Sequence, residues 1–180
     1  MATALFITRK QLVQNSILDG NVDTDKFIQF IKIEQEIHIR NYLGTDLYNK
    51  ISTDIAASNL SGAYLTLVRT YIQPMLIHYA MADYIPFAAY QIKNGGVFKH
   101  TSENAETVSK NEIDYLVKKE RDIAEYYTRR FIDFMSFNQS SYPEYTSNTN
   151  EDIDPDKDSL FNGWVLWKEK ANQKIKMCKN

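Results

Sequence analysis

The chain contains 180 residues, of which 43% are hydrophobic and 24% are charged, a composition typical of one globular domain with an appendage. Its formal net charge of −2 gives no overall attraction to nucleic acid, and proteins that grip DNA usually show a strongly basic face. The start, MATALFITRK, has no basic region followed by an apolar run, so we expect no signal peptide and an intracellular location at synthesis. The single cysteine, Cys178, excludes an intrachain disulfide.

Two helices are predicted in the first 44 residues. Thr8 is expected to cap a short helix that ends near Gln14. A longer helix, FIQFIKIEQEIHIRNYL, is expected to open at Asp23 or Thr24 and to stop at Gly44, the usual glycine position beyond a helix C-terminus.

This longer helix carries two apolar stripes. One stripe contains Ile28, Ile31, Ile39 and Tyr42, with Gln35 inside it, and the other contains Phe30, Ile33 and Ile37. A surface helix needs one apolar stripe of roughly 100°, so this helix is expected to be covered on two sides. The second cover is either its own bundle or another subunit.

The rest of the chain is expected to be organised around the stretch from Ser61 to Tyr90. Thr45 is predicted to cap the helix that precedes it, and Ser61 to cap the long helix itself. Pro74 interrupts this long helix and predicts a kink or a break into two helices. Arg69 and Asp83 bound an uncharged run that is too short to cross a bilayer.

A change of pattern after Pro86 predicts a β-hairpin near residues 87–101. Two apolar runs flank Lys93-Asn94-Gly95-Gly96, and an Asn-Gly turn between such runs is a hairpin signal. We expect this protrusion, with Val97 and Phe98, to contact a neighbouring protein.

The last long helix is predicted from Ser109 to about Phe137. Ser109 and Glu112 form a capping box at its start. Its core face is expected to contain Ile113, Leu116, Val117, Ile123, Ala124, Tyr127, Phe131, Phe134 and Met135. Acids share the opposite face with its basic residues, so that face is expected to be solvated.

The composition divides the chain into a helical body, residues 1–138, and an extended C-terminal arm, residues 139–180. The arm contains a polar linker, an acidic run, an aromatic strand and a basic end. Both tryptophans of the chain, Trp164 and Trp167, lie in the arm, and large aromatic residues are the usual anchors of protein interfaces. The arm is expected to dock on the body or on another protein.

No catalytic, cofactor or metal site is predicted. The histidines show no spacing of three or four residues, and the phosphate-loop, nucleophile-elbow and Cys-x-x-Cys motifs are absent. The run Asp152, Asp154, Asp156 imitates the start of a calcium loop, but Lys157 and Gly163 replace the glycine and glutamate that the loop needs. Glu34 and Asp83 are expected to form buried ion pairs, with Arg40 or Arg69 as partners.

Two segments carry a resemblance to a known family. FIQFIKIEQEIHIRNYLGTDLYNKI, followed by YLTLVRTYIQPMLIHYAMADYIPF, resembles the head-to-tail connector (adaptor) proteins of tailed bacteriophages, especially those of phages of gut Bacteroidetes. The matching features are the helix ending in Y-L-G-T-D-L-Y, the proline-bearing helix and the N-G-G turn. The resemblance covers residues 5–138 and contains no catalytic residues.

The resemblance implies a structural virion protein of mainly α fold and no enzyme. Members of that family form a homo-oligomeric ring, commonly of twelve subunits, that joins the portal protein to adjacent connector or tail proteins. Genomic DNA passes through the lumen without specific binding. The implied location is the head–tail interface of the virion, and the host cytoplasm during assembly.

The interface residues expected on this reading are Phe30, Ile33, Ile37, Val97, Phe98, Tyr142, Tyr145, Phe161, Trp164 and Trp167. The body would supply the lateral helix packing, and the aromatic residues of the arm would dock on the portal or on an adjacent subunit. The alternative is a helical nucleic-acid-binding or DNA-packaging accessory protein that uses the basic end of the arm with Arg129 and Arg130.

Overall fold

A computed structural model describes residues 4–18, 24–88, 90–93, 96–99, 109–149 and 152–157, and these residues are mainly helical, as the sequence predicts. In chain order the elements are α1 (Arg9–Asn15), α2 (Thr24–Glu34), a first π-helical turn (Gln35–Ile39), α3 (Arg40–Leu43), α4 (Thr45–Ala56), α5 (Gly62–Leu67), a second π-helical turn (Val68–Ile72), α6 (Gln73–Ala88), β1 (Tyr90–Lys93), β2 (Gly96–Lys99), α7 (Lys110–Asn138), a 3₁₀ turn (Gln139–Ser141) and α8 (Pro143–Thr146).

Helix α6 is the centre of the body. Along its length Tyr84 contacts Phe27 and Tyr79 stacks on His38, so α6 runs antiparallel to α2 and the π-helical turn that follows it. On another side Tyr71, in the turn before α6, stacks on Phe134, and residues of α6 nearer its end meet earlier residues of α7. A helix covered on more than one side is apolar nearly all round, and the buried residues of α6 are Met75, Leu76, Ile77, Ala80, Met81 and Ala82.

The predicted irregularity at Pro74 takes the form of the second π-helical turn. Pro74 has no N–H to donate to the carbonyl of Thr70, which lies inside that turn. The N–H of Gln73 donates to the carbonyl of Val68, five residues back, and α6 begins there. The proline therefore falls just after the junction of the two helical segments, where the hydrogen-bond pattern changes from five residues to four.

Gln35 fixes the N-terminal segment to the helical core. Its side chain is fully buried, and its amide oxygen accepts a hydrogen bond from the N–H of Phe6 at 2.9 Å. Its amide nitrogen donates to the carbonyl of Ala4 and to the hydroxyl of Tyr48, at 2.9 and 3.0 Å. Gln35, the polar residue within the apolar stripe, thus has hydrogen-bond partners for its whole amide group and holds residues 4–8 against the body.

Local capping signals in the sequence are confirmed at three helix ends. Thr8 and Gln11 form a capping box at the start of α1, and Ser109 and Glu112 form another at the start of α7. Gly44 ends α3 with φ +72°. Each of these devices lies within a few residues of the backbone that it serves.

Strands β1 and β2 pair antiparallel, with Tyr90 opposite Lys99 and Lys93 opposite Gly96. Residues 94 and 95, where the sequence places the turn, and the side chains of Val97 and Phe98 lie outside the described residues. A protruding hairpin that contacts a neighbour therefore stays a prediction.

The expectation of an extended arm from residue 139 is wrong for the residues that follow α7. Helix α7 does end at Asn138, but residues 139–149 and 152–157, which we call the strap, fold back on the body as the 3₁₀ turn, α8 and an irregular segment. Tyr142 and Tyr145 are 2% and 4% exposed, and Tyr142 contacts Tyr64 and Phe134. Burial of two large rings outweighs the polar composition around them.

The strap also caps α4, a role that the sequence assigns to Thr45. The N–H of Thr45 donates to the carbonyl of Ile153 at 3.0 Å, and the N–H of Asp46 donates to the side-chain oxygen of Asn148 at 3.1 Å. The hydroxyl of Thr45 donates to Asp152 at 3.2 Å instead of capping its own helix. Two N–H groups of the first turn of α4 are thus satisfied by residues more than 100 positions away.

Gly44 sits at the point where the strap crosses the turn between α3 and α4. Its φ of +72° and ψ of 162° lie in a region that is essentially limited to glycine. A Cβ added at Gly44 would lie 2.7 Å from both Cγ and Cδ of Pro155. Glycine is therefore required there both for the backbone conformation and for the closeness of the strap.

Replacing Gly44→Ala is expected to lower the free energy of unfolding by about 2 to 4 kcal/mol, because backbone strain of roughly 1 to 3 kcal/mol adds to the clash with Pro155. The matched control is Gly62→Ala, since Gly62 also has positive φ, +57°, but a Cβ there would meet nothing within 4 Å. Urea unfolding of both variants measures the difference. Equal losses in the two variants would show that the strap does not restrain the turn.

Candidate interaction surface

One side of α2 and of the turn after it is partly uncovered. Ile33 is 46% exposed and Ile37 is 50% exposed, and we call this pair the Ile33–Ile37 stripe. Phe30, predicted on the same stripe, is buried because Tyr84 and Phe87 pack on it at ring distances of 5.5 and 5.3 Å. The predicted second apolar stripe therefore divides into a covered end and an exposed remainder.

The other stripe of this helix is buried within the chain, where Ile31, Ile39 and Tyr42 belong to the hydrophobic core. The helical bundle of the chain therefore covers this first stripe. Among the residues that the structure describes, none gives the Ile33–Ile37 stripe a comparable cover.

A second exposed apolar surface lies on α7. Tyr115, Leu116, Ile123 and Tyr126 are exposed, although Leu116 and Ile123 were expected in the core. Arg121 of α7 lies opposite Asp83, five residues before α6 ends, so the start of α7, before Ile123 and Tyr126, extends past the end of α6. The sequence could not reveal this, because it does not fix how far one antiparallel helix overhangs another.

The remaining predicted interface residues divide into two groups. Tyr142 and Tyr145 lie in the core and cannot anchor the chain to another protein while the strap is docked. Phe161, Trp164 and Trp167, with the side chains of Val97 and Phe98, lie outside the described residues, and their role stays a prediction.

A cluster of ionisable side chains around the buried Glu34 joins α2 and the first π-helical turn to α6 and α7. The carboxyl of Glu34 is 3.2 Å from Nε2 of His38 and hydrogen-bonds to the carboxyl of Asp83 on α6. Arg121 of α7 approaches Asp83 at 3.8 Å, and the ring of His38 stacks on Tyr79 with centroids 3.8 Å apart. The predicted burial of Glu34 and Asp83 holds for Glu34, but their partners are each other, His38 and Arg121.

Burial controls the protonation of this cluster. Desolvation, together with the hydrogen bond and the negative charge of Asp83, raises the pKa of Glu34 to about 8. Desolvation lowers the pKa of His38 to about 4. Near neutral pH Glu34 is therefore a protonated acid that donates to Asp83, His38 is neutral, and Arg121 balances the charge of Asp83. A carboxyl pair that shares one proton is a compact way to join two helices.

The geometry of the cluster fits a structural role. An apolar groove of about 250 Å³ lies between the N-terminal segment and α2, lined by Leu5, Ile7, Thr8, Arg9, Leu12, Ile28 and Ile31. Glu34, whose pKa is raised, and Asp83 are not among these residues, so neither lines that groove.

The acidic run of the strap also has structural partners. Asp152 accepts hydrogen bonds from Arg40 at 2.8 Å and from Thr45, and Asp154 accepts one from Asn148 at 3.0 Å. Within the described residues no group of three or more His, Cys, Asp or Glu side chains could hold a metal ion. Asp152 thus pairs with the body, and Asp154 pairs within the strap.

The stability of the protein is expected to fall as pH rises from 6.5 to about 8. In that range unfolded Glu34 has lost the proton that folded Glu34 retains, so raising the pH favours unfolding, by up to about 2 kcal/mol at 1.36 kcal/mol per pH unit. Between pH 4 and 6.5 the lowered pKa of His38 makes stability rise with pH, because His38 binds a proton in the unfolded chain but not in the folded chain.

Glu34→Gln is expected to remove the loss of stability above pH 6.5, since glutamine can still donate to Asp83 and does not ionise. Thermal melting at pH 6.5 and 8.5 measures this, with Glu125→Gln on the exposed side of α7 as the control. A wild-type chain whose melting temperature is the same at both pH values would contradict the assignment of a protonated Glu34.

Comparisons with known proteins place the described region in one family. None of the described helices combines the length and apolar character needed to cross a membrane. No curated protein and no solved structure matches the chain. A family model, described as a family of unknown function (DUF6712), matches residues 39–155, from the end of the first π-helical turn to the proline that packs on Gly44. The chain belongs to the DUF6712 family.

Proposed function

We propose that this chain is a structural virion protein, a subunit of the head-to-tail connector ring that joins the portal to the tail of a tailed bacteriophage. The observation that carries the proposal is the exposed Ile33–Ile37 stripe on a helix whose other side is packed in the core. Two half-exposed isoleucines one turn apart provide an apolar strip of the kind that a neighbouring helix covers.

A ring requires two different surfaces on each subunit, because the contact between neighbours is head-to-tail. The Ile33–Ile37 stripe is one such surface. The exposed residues of α7, Tyr115, Leu116, Ile123 and Tyr126, form a second one on another helix that packs on α6. We assign these two surfaces to the two lateral faces of the subunit.

The axial contacts of the ring are assigned to two further segments of the chain. The paired strands, with Val97 and Phe98, and the arm residues Phe161, Trp164 and Trp167 are the candidates, with the portal and the adjacent connector or tail proteins as partners. The buried Tyr142 and Tyr145 hold the root of the arm on the body instead.

The charge of the chain is compatible with DNA passing through such a ring. The net charge is −2, and of the basic residues of α7 Arg121 faces Asp83 and Arg130 lies over the ring of Tyr71 at 5.2 Å. A lumen that gripped phosphate strongly would hinder the passage of DNA.

The double variant Ile33→Asp with Ile37→Asp is expected to keep its fold and to lose ring assembly, because both side chains are already half exposed and a charge there opposes an apolar contact. Negative-stain electron microscopy and sedimentation of the chain mixed with the portal protein of the same phage measure assembly. The matched control is Ile17→Asp, since Ile17 is 72% exposed beyond the end of α1.

Rings formed by the wild type and the Ile17 variant but not by the double variant would support the proposal. Failure of the wild type to form rings with the portal present would contradict it. Salt-dependent binding of duplex DNA by the wild-type chain would instead favour the nucleic-acid-binding alternative.

A further inference from the structure

The described chain ends close to the Ile33–Ile37 stripe. The N–H of Asp156 donates to the carbonyl of Asn41 at 2.8 Å, and the side chain of Asn41 donates to the carbonyl of Ile37. Arg40, next to Asn41, is held to Asp152 of the strap at 2.8 Å. Asp156 therefore lies about one helical turn from Ile37.

The distance from this point to the stripe is short. Asn41 to Ile33 is eight residues of helix, or roughly 12 Å at 1.5 Å per residue. Lys157 to Trp164 is seven residues, or up to about 23 Å in an extended chain. Residues 160–167 can thus reach both isoleucines without any movement of the strap.

The composition of this segment matches the surface beside it. Residues 160–167 read LFNGWVLW, with Leu160, Phe161, Trp164 and Trp167 among them and no charged residue. A tryptophan side chain buries on the order of 150 to 250 Å² when covered, and the half-exposed isoleucines offer an apolar partner. A site at the end of a short tether is met at an effective concentration of about mM.

We propose that residues 160–167 cover the Ile33–Ile37 stripe of their own chain in the free subunit. Residues 160–167 and the stripe then shield each other from water. A neighbouring subunit that binds the stripe would displace residues 160–167, which are then available to bind the portal or an adjacent protein. The intramolecular contact needs no ring, so it stands or fails independently of the connector proposal.

Intrinsic fluorescence tests the contact in the full-length chain, because both tryptophans lie within the segment. The measurement is the emission maximum and the acrylamide quenching constant of the chain alone, over a hundredfold range of concentration. The wild type is expected to show a blue-shifted emission that does not change with concentration. Ile33→Asp with Ile37→Asp is expected to shift the emission to that of tryptophan in water and to raise the quenching constant severalfold.

Two controls separate the contact from general unfolding. Ile17→Asp changes an isoleucine that is also exposed, at 72%, but lies outside the stripe, and it is expected to leave the emission unchanged. The milder pair Ile33→Ser with Ile37→Ser is expected to give an intermediate shift, and circular dichroism melting of each variant shows that the body is folded.

Unchanged emission in the folded Asp variant would overturn the proposal, as would a wild-type emission already equal to that of tryptophan in water. A blue shift that develops only as concentration rises would assign the stripe to a second copy and would also overturn it. If the wild-type chain shows the concentration-independent blue shift but forms no rings with the portal protein, only the connector proposal is contradicted.

Discussion

The turn at Gly44 is the constraint on which the rest of the described structure depends. Its backbone conformation, essentially limited to glycine, lets Pro155 pack directly on the turn between α3 and α4. That close approach brings the strap to the first turn of α4, where Ile153 and Asn148 satisfy its exposed N–H groups. One small residue thereby joins the helical body to a segment more than 100 residues later, within the region that defines the family.

The features that the sequence predicted are those whose causes are local. The capping boxes at Thr8 and Ser109 and the glycine stop at Gly44 were readable because the partner of each backbone group lies a few residues away. The role of Thr45 was misread because its partners, Asp152 and Ile153, are 107 and 108 residues distant. The burial of Tyr142 and Tyr145 was missed for the same reason, since polar neighbours in sequence say nothing about a cavity supplied by α5 and α7.

The candidate interaction surface was predictable in part. The period of three and four residues identified Ile33 and Ile37 as a second stripe, and both are half exposed. The same pattern included Phe30, which Tyr84 and Phe87 cover, because the position of α6 along α2 is not encoded in either helix alone. The exposure of Leu116 and Ile123 on α7 also depends on how that helix packs against α6. Periodicity thus finds apolar faces, and packing decides which of them remain uncovered.

The strap has a consequence for the order in which the protein is made. Helix α4 is synthesised early, but the groups that complete its first turn belong to residues 148–153. During translation the nascent N-terminal half emerges from the ribosome without them, and pairings of such long sequence separation form late in folding. The first turn of α4 is therefore completed only after residues 148–153 have left the ribosome, about a hundred residues behind the helix itself.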